Sequence, residues 1–425
     1  MKDASATSIY GARALNGVIV ISIRSGNRGM ANRISYSYEL SMRAIPSYTD
    51  FDLLNSQESM SVYQGMNRKG YFSVQNTLYG RRSGVFYQMY KALGTIDPAT
   101  GRYYLENTDE AKRAFMRERE YANTNWFKEL FTYKPIHTHT VTFSGGGEHS
   151  TMYVSLGFYN DRGWTLADNV KRITTNVKNS FYWNEDKMKA TISVQGNLRN
   201  QNSPGTLPQR KNMVTGTFER DFDINPFSYA LGTSRTLRPR NINGELEYYR
   251  NNWAPFNILN EFKNNYMKIE VLDFKLQGEL SYRLNDNIEA KGLASVRHAV
   301  TKNSHFITER SNVIQAFRAN ETPYVAQENI YLLKNRDNLL QLPQVALTHG
   351  GMFNKTETSL RSYMARFALD YHKQMGKHDI RAFGFSEVRY ADRSINPFQG
   401  YGIQYDRGNQ VFTNSSIFDK LANEG

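Results

Sequence analysis

Two histidines are the first candidates for metal chemistry in this chain. His137 and His139 stand two residues apart, a spacing that points both side chains to one face of a β-strand. Imidazole nitrogens bind zinc and other transition metals, but a stable site needs further ligands. The chain has no cysteine, and no third ligand accompanies the pair in the sequence. We therefore favour a structural or interfacial role for both histidines over a metal site.

Paired acids and a glycine-rich turn are the other patterns that could carry chemistry. Asp221 and Asp223 could supply the two carboxylates of a glycoside hydrolase, but they fall in a long connection, where a solvated or cation-binding role is simpler. The run from Ser144 to Gly147 lacks the Lys and Ser/Thr of a phosphate-binding loop and precedes a strand, so it predicts a turn. No Gly-x-Ser-x-Gly elbow with credible partners stands out. The sequence indicates neither an enzyme nor a cofactor.

Composition narrows the class of protein. The 425 residues hold 53 Lys and Arg against 40 Asp and Glu, a net charge of +13 that is spread along the chain. A scattered charge indicates a solvated surface and not nucleic-acid binding. No run of about 18 apolar residues occurs, which excludes a helical membrane span. The mean hydropathy of −0.63 and the 28 Tyr and 24 Phe suit a membrane β-barrel, and they also suit a soluble β-sandwich.

Alternation of apolar and polar residues predicts about nine β-strands. The segment from Arg33 to Met42 alternates throughout, and its length is about what a tilted strand needs to cross a bilayer. The other predicted strands are Thr138–Ser144, Thr151–Tyr159, Arg172–Tyr182, Met188–Arg199, Phe274–Leu284, Ile288–Arg297, Tyr363–Tyr371 and Asp379–Tyr390. One helix is predicted, from Asp109 to Tyr121.

The connections between these strands alternate in length. Four are short, with the sequences GGGEHS, NEDK, NDN and KQMGK. The connections between them are longer, at about 43–137, 160–171, 200–265 and 299–358. Short periplasmic turns that alternate with long extracellular loops are typical of up-and-down strands in an outer-membrane barrel. The sequence thus predicts an all-β fold, a partial transmembrane antiparallel β-barrel of about nine strands with extracellular loops at about 43–137, 200–265 and 299–358.

The stretch from Lys2 to Gly26 is of a different kind. Asp3 can cap a short helical turn, and the apolar run VIVISI from Val18 to Ile23 is typical of a strand that is covered on both faces. The ordered pattern K-D-A-S-A-T-x-I-Y-G-x-R-x-x-N-G-V-I resembles the end of the α/β plug domain of the SusC/RagA group of TonB-dependent outer-membrane transporters. The matching residues are Lys2, Asp3, Ala4, Ser5, Ala6, Ile9, Tyr10, Gly11, Arg13, Asn16 and Gly17.

The resemblance divides the chain into two parts and extends along most of it. Residues 1–28 are expected to be the C-terminal end of the plug, and residues 29–425 the first part of the barrel. The segments NWFKEL from Asn125 and NPFSYALGTSRTLR from Asn225 also resemble the family. Complete barrels of this group have about 22 strands, and no secretory signal follows Met1. We therefore expect a fragment that is incomplete at both ends.

The resemblance implies a function in nutrient uptake. The intact protein is expected to import an oligosaccharide or a peptide through the outer membrane of a Gram-negative bacterium. It implies three partners besides the substrate, namely the lipid of the outer membrane, the TonB complex, and a SusD-like surface lipoprotein that covers the external loops. The TonB complex would act through the N-terminal part of the plug.

Two groups of residues are candidates for contact with the substrate. Polar residues on the inner strand face are expected to line the lumen, namely Arg33, Glu39, Lys189, Gln195 and Arg199. Aromatic residues of the connections are expected to contact the substrate or the lipoprotein, since flat rings stack on sugars and pack against peptides. These are Tyr103, Tyr104, Trp164, Tyr248, Tyr249 and Trp253. A packing role is an equal alternative for each aromatic residue.

Two other classes of protein remain open at this point. A secreted or surface β-rich protein for carbohydrate binding or adhesion, without transport activity, would explain the strands and the aromatic residues. It would not explain the alternating connection lengths or the plug-like start. A passive porin would explain a barrel but not the plug-like start.

Overall fold

The computed structural model describes residues 24–205, 210–211, 218–219, 222–335, 337–338 and 340–424. The plug-like pattern from Lys2 to Gly17, the run from Val18 to Ile23 and Asp221 lie outside the described residues. The description below therefore begins at Arg24.

One large antiparallel sheet organises the molecule. Nine long strands follow one another in chain order, each hydrogen-bonded to the next, and a two-residue strand at Gln410–Val411 pairs with the ninth. The nine are β1 (Arg33–Ser41), β2 (Ile136–Gly146), β3 (Ser150–Asp161), β4 (Asn169–Trp183), β5 (Met188–Pro204), β6 (Asn265–Asn285), β7 (Ile288–Ile307), β8 (Gly351–Met375) and β9 (His378–Gln404). The prediction of a partial, antiparallel, up-and-down barrel of about nine strands is confirmed.

Several strands are longer than the sequence predicted. β5 continues to Pro204, β6 starts at Asn265, and β7 continues to Ile307. β8 has 25 residues and β9 has 27. Alternation of apolar and polar residues ends well before the hydrogen-bonded ladder does, because the outward face becomes polar there. The connections predicted at about 200–265 and 299–358 therefore lie at 205–264 and 308–350.

The sheet carries its apolar residues on its exposed face. On β5, Ile192 and Leu198 are 49% and 50% exposed, whereas Thr191 on the other face is 3% exposed. On β6, the exposed residues Leu272, Phe274, Leu276 and Leu280 repeat the pattern. Water would disfavour so large an apolar surface, whereas the hydrocarbon of a bilayer would cover it.

The long connections fold together into a layer at one end of the sheet, which we call the cap. Its helices are α1 (Ser56–Arg68), α2 (Val74–Tyr79), α3 (Val85–Gly94), α4 (Asp109–Glu120), α5 (Trp126–Leu130), α6 (Pro226–Gly232), α7 (Ile258–Asn264), α8 (Asn312–Arg318), α9 (Pro323–Glu328) and α10 (Ser416–Glu424). Two single-turn 3₁₀ helices lie at Tyr48–Asp50 and Tyr405–Arg407. Helix α4 confirms the helix predicted from Asp109.

Short strands complete the cap. Ala254–Phe256, Tyr249–Asn251 and Arg82–Ser83 form a three-stranded sheet in that order, and Arg210–Lys211 pairs with Phe218–Glu219. In the described part of the chain, every helix is too short or too polar to cross a membrane.

Two hydrophobic clusters hold the cap together. The first is centred on Trp126 and Phe127 of α5 and joins residues of the first and second long connections. The second is centred on Val313 and Ile314 of α8 and extends to Trp253. Each cluster buries apolar side chains from distant parts of the chain, so the three long connections form one packed unit instead of separate loops.

Candidate functional site

The five residues that the sequence predicted to line the lumen lie on one face of the sheet. The strand register connects Arg33 to Ser144, Ser144 to Tyr153, Tyr153 to Lys178, and Lys178 to Ser193. Directly paired residues point to the same face, and side chains two residues apart on a strand do so as well. Arg33 and Glu39 of β1 therefore share the face of Lys189, Gln195 and Arg199 of β5. We call this face the inner wall.

Ion pairs line the inner wall from the level of Asp273 down to that of Lys291 near a short turn. Arg297 donates to both carboxylate oxygens of Asp273 at 2.9 and 2.6 Å. Lys291 donates to Asp370 at 2.6 Å, and Arg366 donates to Glu387 at 2.8 Å. A cavity in this region is lined in part by Lys189, Lys291 and Arg366. The wall can thus present both charges and hydrogen-bonding groups to a hydrated molecule.

The segment that leads into β1 is tied to the short turns. The Arg28 guanidinium donates to the Asp186 carboxylate at 2.6 and 2.5 Å and lies 4.2 Å from the centre of the Tyr182 ring. The backbone N–H of Gly29 donates to the carbonyl of Gly147 at 3.3 Å. The hydrogen bond from Arg28 lowers the pKa of Asp186. The chain therefore enters the sheet at the end that is opposite to the cap.

The two histidines lie on the outward face and bond to tyrosines. Nδ1 of His139 is 2.7 Å from the Tyr36 hydroxyl, and Nδ1 of His137 is 2.8 Å from the Tyr38 hydroxyl. The Tyr38 and His137 rings are stacked, with their centres 6.0 Å apart. Nowhere in the described chain do three His, Cys, Asp or Glu side chains come together as metal ligands would. The contacts with Tyr36 and Tyr38 fit the structural or interfacial role that the sequence favoured.

Asp223, the described member of the acidic pair, serves the backbone. Its carboxylate accepts a hydrogen bond from the N–H of Asn225 at 2.9 Å. Asn225 in turn caps α6, with its side-chain oxygen accepting from the N–H groups of Phe227 and Ser228. The local role of Asp223 is therefore to shape the turn that starts the helix.

Two of the aromatic residues that were predicted to contact a substrate or partner have mostly exposed side chains. Tyr103 and Tyr104 are 56% and 60% exposed on the cap. Tyr248 and Tyr249 are half-buried, and the Tyr249 hydroxyl donates to the Tyr229 hydroxyl at 3.3 Å. Burial raises the pKa of Tyr249, so its hydroxyl remains protonated at physiological pH.

The two tryptophans in that set are packing residues. The indole N–H of Trp164 donates to the carbonyl of Ala44 at 2.9 Å, and its ring meets Phe131 edge to face at 4.9 Å. Trp253 is only 4% exposed and belongs to the second hydrophobic cluster. The surrounding cap covers the ring of Trp253, which fits the packing alternative that the sequence left open for this residue.

Buried charge in the cap escaped the sequence analysis. Glu261 of α7 is 1% exposed and accepts a hydrogen bond from the backbone N–H of Asn312 at 2.8 Å. Burial raises its pKa to about 8. Arg119 of α4 pairs with Glu247, 128 residues away. No local pattern marks these residues, since each partner comes from a different connection.

Comparisons of the sequence with known proteins find similarity to TonB-dependent receptors. The chain is 28% identical over 195 residues to TonB-dependent receptor SusC of Bacteroides thetaiotaomicron, which covers 46% of this chain and 15% of that protein. It is 23% identical over 265 residues to TonB-dependent receptor P26 of Formosa agariphila, which covers 60% of this chain and 22% of that protein. No family model matches the chain.

Comparisons of the structure agree on the fold. The RagAB peptide importer in its 'open-open' state superposes with a TM-score of 0.60 and 19% identity, over 97% of this chain and 40% of that chain. The 'closed-closed' state gives 0.61 and 20%, over 98% and 41%. The resemblance to SusC and RagA is confirmed, and the chain spans less than half the length of each of these proteins.

Proposed function

We propose that this SusC/RagA-like chain forms part of a TonB-dependent transporter in the outer membrane of a Gram-negative bacterium. The transporter imports an oligosaccharide or peptide nutrient and takes its energy from TonB. A SusD-like surface lipoprotein covers the cap. The RagAB structures support such a lipoprotein, and the named relatives are receptors and transporters rather than enzymes.

The observation that carries the proposal is the inverted polarity of the sheet. Apolar residues such as Ile192 and Leu198 are exposed on the outward face, while the inner wall is polar and charged. A soluble carbohydrate-binding protein would bury the apolar face instead. Among the described residues, one end of the sheet carries a folded cap and the other carries short turns. The two ends of the barrel therefore differ, as they do when one end meets the environment and the other the periplasm.

The inner wall suits the passage of a hydrated oligomer. Ion pairs such as Arg297 with Asp273 and Lys291 with Asp370 hold their side chains against the strands. The same groups offer hydrogen bonds to hydroxyl and amide groups of a substrate. Exposed rings on the cap, with Tyr103 and Tyr104 as the best placed, would contact the substrate or the lipoprotein before entry. A pull by TonB on the plug would then open the path along this wall.

Uptake by intact cells tests the proposal. Cells that carry the gene should accumulate fluorescently labelled oligosaccharides or peptides of a size that excludes porin diffusion. Cells that lack the gene, and cells that lack TonB, should not accumulate the same probe. A passive porin would retain uptake without TonB. A surface binding protein would retain labelled probe at the cell surface of the wild type and of the strain that lacks TonB, with none in the periplasm of either. Either result would contradict the proposal.

The predicted lipoprotein contact is tested by purification. A SusD-like lipoprotein should purify with the transporter from detergent extracts. Substitution of Tyr103 and Tyr104 by Ala should reduce its recovery, or reduce binding of the labelled probe. Tyr71→Ala is a matched control, because Tyr71 is 63% exposed on the same cap and is not a candidate contact. Equal effects of both changes would contradict a specific role for Tyr103 and Tyr104.

A further inference from the structure

Two arginines lie side by side on neighbouring strands of the inner wall, and no carboxylate of the described residues pairs with either. Arg172 of β4 is paired directly with Arg199 of β5 in the strand register. Side chains directly opposite on one face lie close together, and like charges in that arrangement destabilise a sheet. The fold therefore retains a pair of like charges at this position, which a bound anion would stabilise.

The carboxylates nearest in the register are already engaged. Asp161, beside Tyr159 on β3, accepts from Arg43 at 2.5 Å and from the N–H of Gly163 at 2.8 Å. Asp273 on β6 is held by both hydrogen bonds from Arg297. None of the ion pairs in the described parts of the chain includes Arg172 or Arg199.

The hydrogen-bonding groups around the pair are also incomplete. Nε of Arg199 and Oδ1 of Asn197, which share the inner wall, are both buried without a hydrogen-bond partner among the residues that the structure describes. Among the described residues, the contact of Arg172 is with the ring of Tyr159, whose centre lies 5.0 Å from the guanidinium carbon. Further along the wall, Lys178 and Lys275 add two cations opposite Ser193 and Gln195.

The two arginines lie near the cap end of the sheet, where a substrate would enter. On β4 and β5, Ile173 and Leu198 are the last exposed apolar residues of the outward face, and Lys171 and Asn200 follow them toward the cap. The arginines thus lie at the edge of the apolar belt on the cap side, above most of the inner wall. The short turns, where Arg28 holds the incoming chain, are at the other end.

We propose that Arg172 and Arg199 form an entry site for a carboxylate group of the transported oligomer, so that the substrate is acidic. A guanidinium binds a carboxylate with two parallel hydrogen bonds, and two opposed guanidinium groups would be neutralised in part by the same anion. The inference rests on the proposed transport function and specifies its substrate class. The carboxylates come from uronic acids in a glycan or from acidic side chains in a peptide.

Binding to outer-membrane vesicles of the producing strain tests the site. The probes are a labelled uronate tetrasaccharide with its neutral hexose counterpart, and a labelled hexapeptide with three glutamates and its glutamine counterpart. We expect one acidic probe to bind about tenfold more tightly than its neutral counterpart at low salt, the factor that about 1.4 kcal/mol provides. The Arg172→Gln, Arg199→Gln double variant should reduce this preference to less than twofold. The acidic probe that responds identifies the source of the carboxylate.

A matched control lies beside the site. Lys171→Gln removes the same charge from the neighbouring residue, which points to the outward face, and should preserve the preference. Arg199→Lys keeps the charge but loses the fork, so it should retain only part of the preference. Equal resistance to heat unfolding on unboiled gels shows that each variant is folded.

Three results would overturn the inference. If neutral probes bound as well as acidic ones, the proposal of an acidic substrate would be wrong, while the transport proposal would stand. If the wild type showed no preference for acidic probes and the double variant were less resistant to heat, a carboxylate of the protein itself would be the group that fills the site. Failure of every probe to bind above the gene-deleted background would contradict the transport proposal as well.

Discussion

The sheet and the cap place the same kinds of side chain in opposite ways. In the sheet, Ile192 and Leu198 expose half of their surface to the outside. In the cap, Trp126 and Phe127 are 1% and 0% exposed in the interior of a cluster. Burial of apolar surface drives folding wherever water is the solvent, so the cap is built for water, whereas the outward sheet face suits the lipid contact that we propose.

The difference also locates the edge of the apolar belt. On β8, the outward residue Tyr363 is 51% exposed, whereas the next outward residues toward the cap include Glu357 and Lys355, which pair with each other at 2.9 Å. The strand itself continues without interruption through this change. On β8, charged side chains therefore replace exposed apolar ones on the outward face before the strand reaches the cap.

The largest expected effect is loss of the cap core. Phe127→Ala should reduce the free energy of unfolding of the cap by about 3 to 5 kcal/mol, because it removes a fully buried ring and leaves a cavity. Denaturant titration followed by tryptophan fluorescence measures this change, since Trp126 lies in the same cluster. Tyr104→Ala, at an exposed site, should change it by less than about 0.5 kcal/mol. Similar losses of unfolding free energy in both variants would contradict the interpretation that burial of Phe127 stabilises the cap.

A charge on the outward face should have the next largest effect. Ile192→Arg should destabilise the protein in lipid vesicles by about 2 to 4 kcal/mol, which is the cost of Arg at the centre of the apolar band of a barrel. Ser155→Arg adds the same side chain on the inner wall, where the directly paired residues Thr142 and Asn176 carry no charge, and should be nearly neutral. Guanidinium titration in vesicles compares the two variants. If both were neutral, the outward face would not contact lipid.

The regular parts of this fold were accessible from the sequence. Alternation from Arg33 to Met42 places apolar side chains on one face because the side-chain period of a strand is two residues. The helix from Asp109 begins after Thr108, whose hydroxyl accepts from the N–H of Ala111 as an N-cap. Strand ends beyond the apolar belt were missed, since backbone pairing there continues without an alternating pattern.

The cap was not accessible in the same way. Trp253 was predicted to be a contact residue, yet it is buried by residues such as Tyr331, whose ring centre is 5.8 Å away. The Arg119 and Glu247 pair joins separate connections. Such contacts depend on how several long connections fold against one another, which local periodicity and turn residues do not specify. For the inner wall, the sequence identified the face but not which charges are paired.

Protonation of Glu261 should make the stability of the cap depend on pH. Its folded-state pKa of about 8 lies above the ordinary value of about 4.3, so the folded cap binds this proton more tightly than the unfolded chain does. The contribution to stability is complete below the ordinary pKa and is lost as pH rises to about 8, at about 1.4 kcal/mol per pH unit. Glu261→Gln should remove this slope.

Denaturant midpoints of the cap between pH 5 and 9 measure the effect. The exposed residue Glu110 is 81% accessible in its side chain, so Glu110→Gln is a control that should leave the slope unchanged. An identical pH dependence in the wild type and Glu261→Gln would show that the buried carboxyl does not control cap stability. The sheet, which has a separate apolar surface in lipid, should be unaffected by either change.

The smallest expected effect concerns a polar contact on the outward face of the sheet. Tyr36→Phe removes the hydroxyl that lies 2.7 Å from Nδ1 of His139 and should destabilise the protein in vesicles by about 1 kcal/mol or less, since polar contacts within membranes contribute little net stability. Tyr363→Phe is the matched control, because the Tyr363 hydroxyl makes no hydrogen bond with other described residues. A loss of several kcal/mol for Tyr36→Phe alone would mean that the contact between Tyr36 and His139 is buried against another protein surface rather than lipid. The division between a lipid-facing sheet and a water-facing cap would then not hold for this part of the sheet.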